Sequence, residues 1–198
     1  MRTRSANPGM AHFLREFVRE PGSVGAIAPS SPALARAIVD AVDLAHRHTV
    51  LELGPGTGAF TAEILRRLRP GQRYLGIERN PAFHAALCAR FGAARFALGD
   101  AAELDRELHT HGMPQVDAVV CSLPWAPLPL AVQDRVFAAL SRALRDGGVF
   151  ATFAYLQGTL LPGGRALRRR LAQEFASVRR TPVVWANLPP AFVYVCRK

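Results

Sequence analysis

The amino-acid sequence predicts a doubly wound α/β domain, in which helices cover both faces of a mainly parallel sheet. Three observations indicate this class. Short strand-like runs alternate with helical patterns across residues 49–153. Pairs such as Val119-Val120 and Val149-Phe150 are apolar at successive positions, which is typical of strands that are buried on both faces. The alternation is regular enough to favour right-handed crossovers between parallel strands.

Each core strand is predicted from one such run. The five core strands are Thr49–Leu53, Arg73–Glu78, 94–98, 116–122 and 149–154. Two further strands, 183–185 and 192–195, are predicted to close the sheet near the C-terminus. A chain of this length suits one core. We therefore expect a single domain over residues 1–198, with a helical part at 1–48 ahead of a core at 49–198.

Two helix starts within the core are marked by capping residues. Asn80 before Pro81 predicts an N-cap followed by a proline in the first turn. Asp100, with Glu103 three residues later, has the form of a capping box in which Asp replaces the usual Ser or Thr. Both starts follow predicted strands, as the alternating pattern requires.

Three helices are predicted outside the alternating region 49–153. In residues 10–20 the apolar side chains recur at helical spacing and the charged ones fall on the other face. A second helix starts at residues 30–32, where two serines precede a proline, and runs to residue 41. In residues 165–175, Leu167 and Leu171 lie on one side with arginines around them. The first and third helices are therefore amphipathic.

The chain has 198 residues, 25 basic and 15 acidic, for a formal net charge of +10. Residues 157–198 hold eight of the basic side chains against one acidic. This charge implies an anionic partner: nucleic acid, a membrane surface or an acidic small molecule. Three prolines interrupt the most apolar stretch, 116–132, so no transmembrane segment is predicted. Three cysteines and no signal-peptide pattern favour a reducing cytoplasm over a disulfide scaffold.

The loop Gly54-Pro55-Gly56-Thr57-Gly58 follows the first predicted strand, where glycines let a ligand approach the main chain. Gly54, Gly56 and Ala59 also have the spacing of a dinucleotide fingerprint. Glu52 separates these two interpretations, because it would repel a pyrophosphate and attract a cation. S-adenosylmethionine carries an ammonium and a sulfonium group. It is therefore favoured as the cofactor, with S-adenosylhomocysteine as the product.

Two more carboxylates follow the next strands. Glu78 ends the second strand, where it can accept hydrogen bonds from both ribose hydroxyls. Asp100 follows the third, where it can accept one from the adenine amino group or instead cap a helix. All these acids lie where open α/β sheets bind ligands. The predicted cofactor-binding residues are the acids, the loop and their neighbours: Ser30, Glu52, Gly54, Pro55, Gly56, Thr57, Gly58, Glu78, Arg79, Asp100, Ala101 and Ser122.

The segment Ser122-Leu123-Pro124-Trp125 follows the fourth strand, whose end faces the reactive methyl group in this architecture. Its backbone carbonyls and the Ser122 hydroxyl can hold an amine, which must be unprotonated and in line with the sulfonium. We therefore predict Ser122 and Leu123 as catalytic residues and Tyr155 as an orienting residue. Trp125 and Tyr155 are equally well interpreted as packing aromatics.

Other chemistries have little support in the sequence. His109 and His111 have no cysteine or carboxylate cluster beside them, so no metal site is predicted. Cys121 has no evident histidine partner and is interpreted as a small core residue. We find no Ser-His-Asp pattern of the hydrolase type.

Four stretches resemble the class I S-adenosylmethionine-dependent methyltransferases, and more narrowly the bacterial soluble phospholipid N-methyltransferases. They are Phe13-Leu14-Arg15-Glu16-Phe17, residues 24–35, the glycine loop from Leu51 to Gly58, and Asn187-Leu188-Pro189-Pro190 with the residues up to 194. The chain is also similar to the ribosomal RNA adenine dimethylases. It departs from the phospholipid family after the fourth strand, where Ser122-Leu123-Pro124 stands in place of Ser-Gly-Leu-Pro.

The resemblance implies a Rossmann-like sheet of seven strands, the last antiparallel, with an N-terminal helical extension. It implies that the helix at 10–20 lies on the membrane and that residues 24–31 close over the cofactor. The implied function is N-methylation of phosphatidylethanolamine and its methylated intermediates towards phosphatidylcholine. The expected partner is an anionic phospholipid surface at the inner face of the cell membrane, with no protein partner. RNA adenine N6-methylation, and methylation of another amino lipid such as ornithine lipid or of a small molecule, stay as alternatives.

Overall fold

A computed structural model describes residues 30–92 and 96–198 of the chain. The helix predicted over residues 10–20 lies outside these ranges, as does all of the predicted cofactor lid except residues 30 and 31. Within the described residues, no helix combines the length and apolar character needed to cross a bilayer.

Within residues 30–92 and 96–198, seven strands form one sheet in the order β3-β2-β1-β4-β5-β7-β6. The strands are β1 (Thr49–Leu53), β2 (Arg73–Glu78), β3 (Phe96–Leu98), β4 (Val116–Cys121), β5 (Leu144–Tyr155), β6 (Ser177–Arg180) and β7 (Ala191–Arg197). β1 to β5 are parallel, and β7 runs antiparallel to both β5 and β6. The predicted Rossmann-like class, with an antiparallel last strand, is confirmed.

Helices follow the strands in the expected alternation. The α-helices are α1 (Pro32–Val42), α2 (Ala59–Arg67), α3 (Pro81–Phe91), α4 (Leu104–Thr110), α5 (Leu130–Ala143) and α6 (Pro162–Glu174). Shorter 3₁₀ segments occupy Leu44–His46, Ala101–Glu103 and Gln157–Leu160. The N-cap predicted for α3 is present, because the Asn80 side chain accepts backbone N–H bonds in the first turn. α1 begins in the predicted range 30–32, and its N-cap is Ser31, whose hydroxyl accepts from the amide of Leu34.

The sheet separates two hydrophobic cores, because successive strand residues point to opposite faces. Val120 belongs to the core under α1 and α2, together with Leu34 and Ile64. Val119 belongs to the core under α4, α5 and α6, together with Phe137. The continuous apolar runs that predicted buried strands are therefore explained by helices on both sides.

The strand predicted at residues 183–185 is wrong. Val184 makes only an isolated bridge to Ala191, and the sheet is completed instead by β6. β6 lies at the edge of the sheet and most of its residues are exposed, so it buries little apolar surface. Val178 is its one large apolar residue. The hydrophobic pattern that would predict β6 is therefore weak. Val183-Val184 is apolar, but it follows Pro182 and leads directly into a turn.

Several predicted boundaries shift. The strand predicted at 149–154 extends over Leu144–Tyr155, so Tyr155 is the last residue of β5 rather than the first residue after it. Asp100 caps the short segment Ala101–Glu103, and its carboxylate accepts from the amide of Ala102. Glu103 pairs with Arg135 on α5 instead of completing a capping box.

Candidate functional site

The glycine loop turns the chain from β1 into α2 through three left-handed residues. Gly54, Gly56 and Gly58 have φ angles of 68°, 57° and 79°, a region that side-chain-bearing residues rarely adopt. A Cβ atom at Gly58 would also lie 2.7 Å from the Phe91 ring. Glycines are therefore required where the chain turns at the carboxyl edge of the sheet. The cofactor contact predicted for the loop stays a prediction.

Glu52 is fully buried under α2 rather than exposed beside the loop. Its Oε2 accepts hydrogen bonds from the Thr61 hydroxyl at 2.8 Å and the Tyr74 hydroxyl at 2.5 Å. Its Oε1 is buried and has no hydrogen-bond partner among the described residues. Burial raises the pKa of Glu52 from 4.5 to about 7, against the lowering effect of the two hydroxyls. The unpartnered oxygen is suited to a cationic ligand.

Thr61 and Tyr74 are hydrogen-bond partners of Glu52 that the sequence reasoning missed. The register places Glu52 opposite Gly76 of β2, and Tyr74 lies two residues before Gly76 on the same face. A Cβ at Gly76 would lie 2.8 Å from the Tyr74 hydroxyl oxygen. The absence of a side chain there gives the tyrosine room to reach Glu52. The available signal was a polar tyrosine hydroxyl in an otherwise apolar, buried strand.

Glu78 joins the end of β2 to the glycine loop. Its Oε2 accepts from the amide of Gly56 at 2.9 Å, and its Oε1 accepts from the amide of Asn80 at 2.8 Å. The residue is buried. Each carboxylate oxygen has a second lone pair, so both can still accept from a vicinal diol. Arg79 beside it is exposed.

Asp100 lies half-buried after β3. One carboxylate oxygen caps Ala102 at 2.9 Å, so the capping interpretation from the sequence is confirmed. The other oxygen has no hydrogen-bond partner in residues 30–92 and 96–198, which leaves it able to accept from an amino group. Ala101 is buried behind it.

Ser30 lies next to a contact that joins two distant segments. The amide of Ser31 donates to Asn187 Oδ1 at 2.9 Å, across 156 residues of sequence. Asn187 is buried, and its Nδ2 donates to the Pro189 carbonyl at 2.7 Å. Two of the stretches that carry the family resemblance therefore meet here. The cofactor contact predicted for Ser30 stays a prediction.

Ser122 and Leu123 lie against the glycine loop. The Ser122 amide donates to the Leu53 carbonyl at 2.9 Å, and a Cβ at Gly54 would lie 3.3 Å from Leu123 Cδ2. The Leu123 carbonyl accepts from the Trp125 amide at 3.0 Å. The Ser122 carbonyl and hydroxyl have no partner in the described part of the chain. Ser122 is therefore better placed than Leu123 to accept bonds from an amine.

Trp125 is a packing residue. It is 4% exposed, stacks on Phe137 with ring centroids 4.7 Å apart, and donates from Nε1 to the Thr152 hydroxyl at 3.1 Å. Thr152 in turn donates to the Cys121 carbonyl at 3.1 Å. Thr152, which the sequence reasoning missed, thus ties the segment after β4 to β5.

Tyr155 is half-buried at the end of β5, and its ring contacts Phe153 edge to face at 5.6 Å. Burial raises the pKa of Tyr155 above its usual value, so the phenol keeps its proton at neutral pH. It can orient a substrate by hydrogen bonding but is not suited to act as a base.

Other reactive groups are placed away from such chemistry. Among the described residues no set of His, Cys, Asp or Glu side chains is arranged to hold a metal ion. His109 is exposed, and the His111 ring contacts the Glu107 carbonyl of its own helix at 2.8 Å. Cys121 is fully buried, and this burial raises the pKa of its thiol to about 12.

The arrangement fits a cationic nucleoside. Glu78 presents two carboxylate oxygens beside the glycine loop, and Asp100, at the end of the next strand, has one oxygen without a partner in the described residues. Glu52 comes two residues before the loop, and its Oε1 is buried without a hydrogen-bond partner among the described residues. These donor and acceptor types match the amine, ribose and adenine parts of S-adenosylmethionine.

Comparisons with known proteins agree with this geometry. Residues 51–150 match the family model of a methyltransferase domain. The chain is 32% identical to an ornithine lipid N-methyltransferase of Singulisphaera acidiphila, over 93% of this chain and 94% of that protein. It is also 35% identical to a probable ribosomal RNA small subunit methyltransferase A of Methanosarcina mazei, over 45% of this chain and 30% of that one.

Solved structures show the same fold. The N-methyltransferase NodS of Bradyrhizobium japonicum in complex with S-adenosyl-L-homocysteine superposes with a TM-score of 0.63 at 14% identity, over 83% of this chain and 85% of that one. The PH0226 protein of Pyrococcus horikoshii superposes with a TM-score of 0.65 at 16% identity, over 92% and 98% of the two chains. The chain therefore belongs to the class I methyltransferases, and its cofactor is S-adenosylmethionine.

Proposed function

We propose that this enzyme methylates the amine of a membrane amino lipid, with an ornithine lipid headgroup as the first candidate and phosphatidylethanolamine as the second. Support for a lipid acceptor comes from the similarity to an ornithine lipid N-methyltransferase along nearly the whole of both chains. Both headgroups present a primary amine at a lipid surface. The proposal places the reaction at the inner face of the cell membrane.

The observation that carries the chemistry is the free Ser122 at the end of β4. Its carbonyl and hydroxyl oxygens have no partner within the described residues, and it adjoins the loop that would hold the cofactor. When bound, S-adenosylmethionine supplies an electrophilic methyl group on its sulfonium. The oxygens of Ser122 accept N–H bonds from the acceptor amine and so direct the nitrogen lone pair along one line.

The remaining residues prepare this geometry. Leu123, next to Ser122, is apolar and only partly buried, and a less polar environment favours the neutral form of an amine. Glu78 and Asp100 accept bonds from the ribose hydroxyls and the adenine amino group of the cofactor. The Thr152 hydroxyl holds Trp125 and the Cys121 carbonyl, so the segment after β4 keeps its position.

An RNA acceptor is the alternative from another substrate class. The similarity to the ribosomal RNA methyltransferase leaves more than half of this chain without a counterpart. The lipid-methylating relative, in contrast, matches from end to end. The similarity to RNA enzymes is thus explained by a shared methyltransferase core.

The test is parallel methyl transfer to three acceptors. Purified enzyme is incubated with methyl-labelled S-adenosylmethionine and, separately, with vesicles containing ornithine lipid, vesicles containing phosphatidylethanolamine, or ribosomal RNA. We expect labelled N-methyl lipid, identified by mass spectrometry, and no labelled RNA. Label in RNA without any lipid product would overturn the proposal.

A matched pair of variants connects the product to this site. Asp100→Asn removes a carboxylate next to the predicted adenine position. Asp146→Asn removes an exposed carboxylate at the start of β5, at the opposite edge of the sheet. Lipid methylation should fall in the first variant and stay at the wild-type rate in the second.

A further inference from the structure

Exposed apolar side chains are unevenly distributed over the described surface. Six large ones are exposed within residues 30–92 and 96–198. Five of them are Leu130 (73% exposed), Leu160 (73%), Leu161 (60%), Trp185 (71%) and Leu188 (82%). The sixth, Leu98, ends β3 on the cofactor side. Single exposed leucines are ordinary in soluble proteins, but a concentration at one edge marks an interaction surface.

These five residues, which we call the acceptor rim, occupy three connections at the carboxyl edge of the sheet. Leu130 begins α5 after the segment that follows β4, and Leu160 and Leu161 follow β5. Trp185 and Leu188 belong to the connection that leads into β7. The rim therefore lies on the half of the edge formed by β4, β5 and β7, next to Ser122 and Tyr155.

Contacts between the connections hold the rim together. The amide of Leu156 donates to the Pro190 carbonyl at 2.8 Å, which joins the end of β5 to the start of β7. A Cβ at Gly163 would lie 3.2 Å from the Ala126 Cβ, which places the start of α6 against the segment after β4. The three connections that carry the rim residues therefore adjoin one another at this edge of the sheet.

Unpaired arginines lie beside the rim. Arg165, in the first turn of α6, is exposed, as are Arg168 and Arg169 one turn further on. None of them forms an ion pair with a residue that the structure describes, whereas Arg170 pairs with Asp134 and Glu174. Apolar side chains next to free guanidinium groups are complementary to a bilayer with anionic headgroups.

We infer that the acceptor rim inserts into the interfacial region of an anionic lipid bilayer, so that the mouth of the site opens directly onto the membrane. A bilayer accepts separate side chains from several loops, whereas a protein or a nucleic acid requires a shaped complementary surface. A tryptophan at such an edge suits the headgroup region. The inference rests on the proposed function only for the reason why the enzyme would dock on a membrane. Docking itself is measured separately from methyl transfer.

The two tryptophans of the chain make the test direct. Trp125 is buried and Trp185 is exposed, so a change of emission on adding lipid reports Trp185. Full-length protein is titrated with phosphatidylcholine vesicles, with and without phosphatidylglycerol and brominated lipid. We expect a blue shift and quenching that need phosphatidylglycerol and disappear in Trp185→Phe. Unchanged emission of Trp185 would overturn the inference.

Charge-matched variants locate the surface. Leu188→Asp and Leu161→Asp should each lower the vesicle partition constant by about tenfold or more, because a carboxylate replaces inserted apolar area. Ala45→Asp, an exposed position before β1 at the opposite edge of the sheet, should leave it nearly unchanged. Arg165→Gln with Arg169→Gln should weaken binding and reduce its dependence on salt. Equal loss in all variants would overturn the assignment of the rim.

Three further outcomes separate this inference from its alternatives. Concentration-dependent dimers without lipid, abolished by Leu188→Asp in sedimentation experiments, would assign the rim to a second copy and overturn it. Insertion of Trp185 without methylation of either lipid would support docking and contradict the proposed function. Lipid methylation with Trp185 still exposed to water would support the proposed function and contradict insertion of the rim.

Discussion

At the scale of single residues, Glu52 links the burial of the sheet to the chemistry of the site. The sequence predicted a carboxylate that attracts a cation. The structure shows that carboxylate buried under α2, and one of its oxygens has no partner in the part of the chain that the structure describes. Burial of an acid without a counter-ion favours its neutral form. A cationic cofactor would favour the ionised form again.

Replacement of Glu52 by glutamine should therefore change the pH dependence of stability. The folded pKa is about 7 against 4.5 ordinarily, so the folded state holds a proton that the unfolded state releases between these values. Wild-type stability is lowered as pH rises through this window, by on the order of 3 kcal/mol. Glu52→Gln lacks this decline. Between pH 5 and pH 8 the unfolding free energy of the wild type should therefore fall relative to that of Glu52→Gln.

Urea titrations at several pH values measure this shift, and Glu103→Gln, an exposed carboxylate, is the control. Parallel pH profiles for Glu52→Gln and wild type would show that Glu52 ionises normally in the folded protein.

Truncation of Glu78 to alanine should weaken cofactor binding by about tenfold or more, since a buried acceptor of several hydrogen bonds is lost. It also leaves the amides of Gly56 and Asn80 without their acceptor. Calorimetric titration with S-adenosylhomocysteine measures the effect, with Asp146→Ala as the exposed control. Unchanged affinity would remove Glu78 from the ribose position.

At the scale of elements, the start of α1 and the connection into β7 behave as one unit. Asn187 joins them through its amide side chain, which accepts from Ser31 and donates to Pro189. Nothing local to either segment predicts this pairing, because the partners lie 156 residues apart. Ser31 is the last residue of the predicted cofactor lid, so the contact fixes the position of this residue at the start of α1.

Asn187→Ala should destabilise the protein by about 1–3 kcal/mol, because buried partners lose their hydrogen bonds. Asn187→Asp keeps the acceptor for Ser31 and should retain slow hydrogen exchange at that amide. Hydrogen exchange followed by mass spectrometry separates the two variants. Equal protection of Ser31 in wild type and Asn187→Ala would contradict the role assigned to this contact.

At the scale of the whole molecule, the two cores share every central strand, so they should unfold together. β1 contributes Val50 to one core and Leu51 to the other. We expect one cooperative transition in urea, with circular dichroism and the emission of the buried Trp125 changing together. Two resolved transitions would contradict the single domain predicted over residues 1–198.

The sequence was informative wherever the signal is local. The strands Thr49–Leu53 and Arg73–Glu78 were predicted with the bounds that the structure has, because continuous apolar runs report burial on both faces. The caps at Ser31 and Asn80 depend on neighbouring residues only. The edge strand β6 escaped detection, since it needs almost no apolar surface.

The sequence by itself determined the α/β class, the glycine loop and the acids at three strand ends, because these depend on residue type and spacing along the chain. Only the tertiary structure decided which side chains meet. The bonds of Tyr74 and Thr61 to Glu52 and the Asn187 contact join residues that are apart in sequence. Periodicity shows that a face is buried, whereas strand register and loop packing determine what it is buried against.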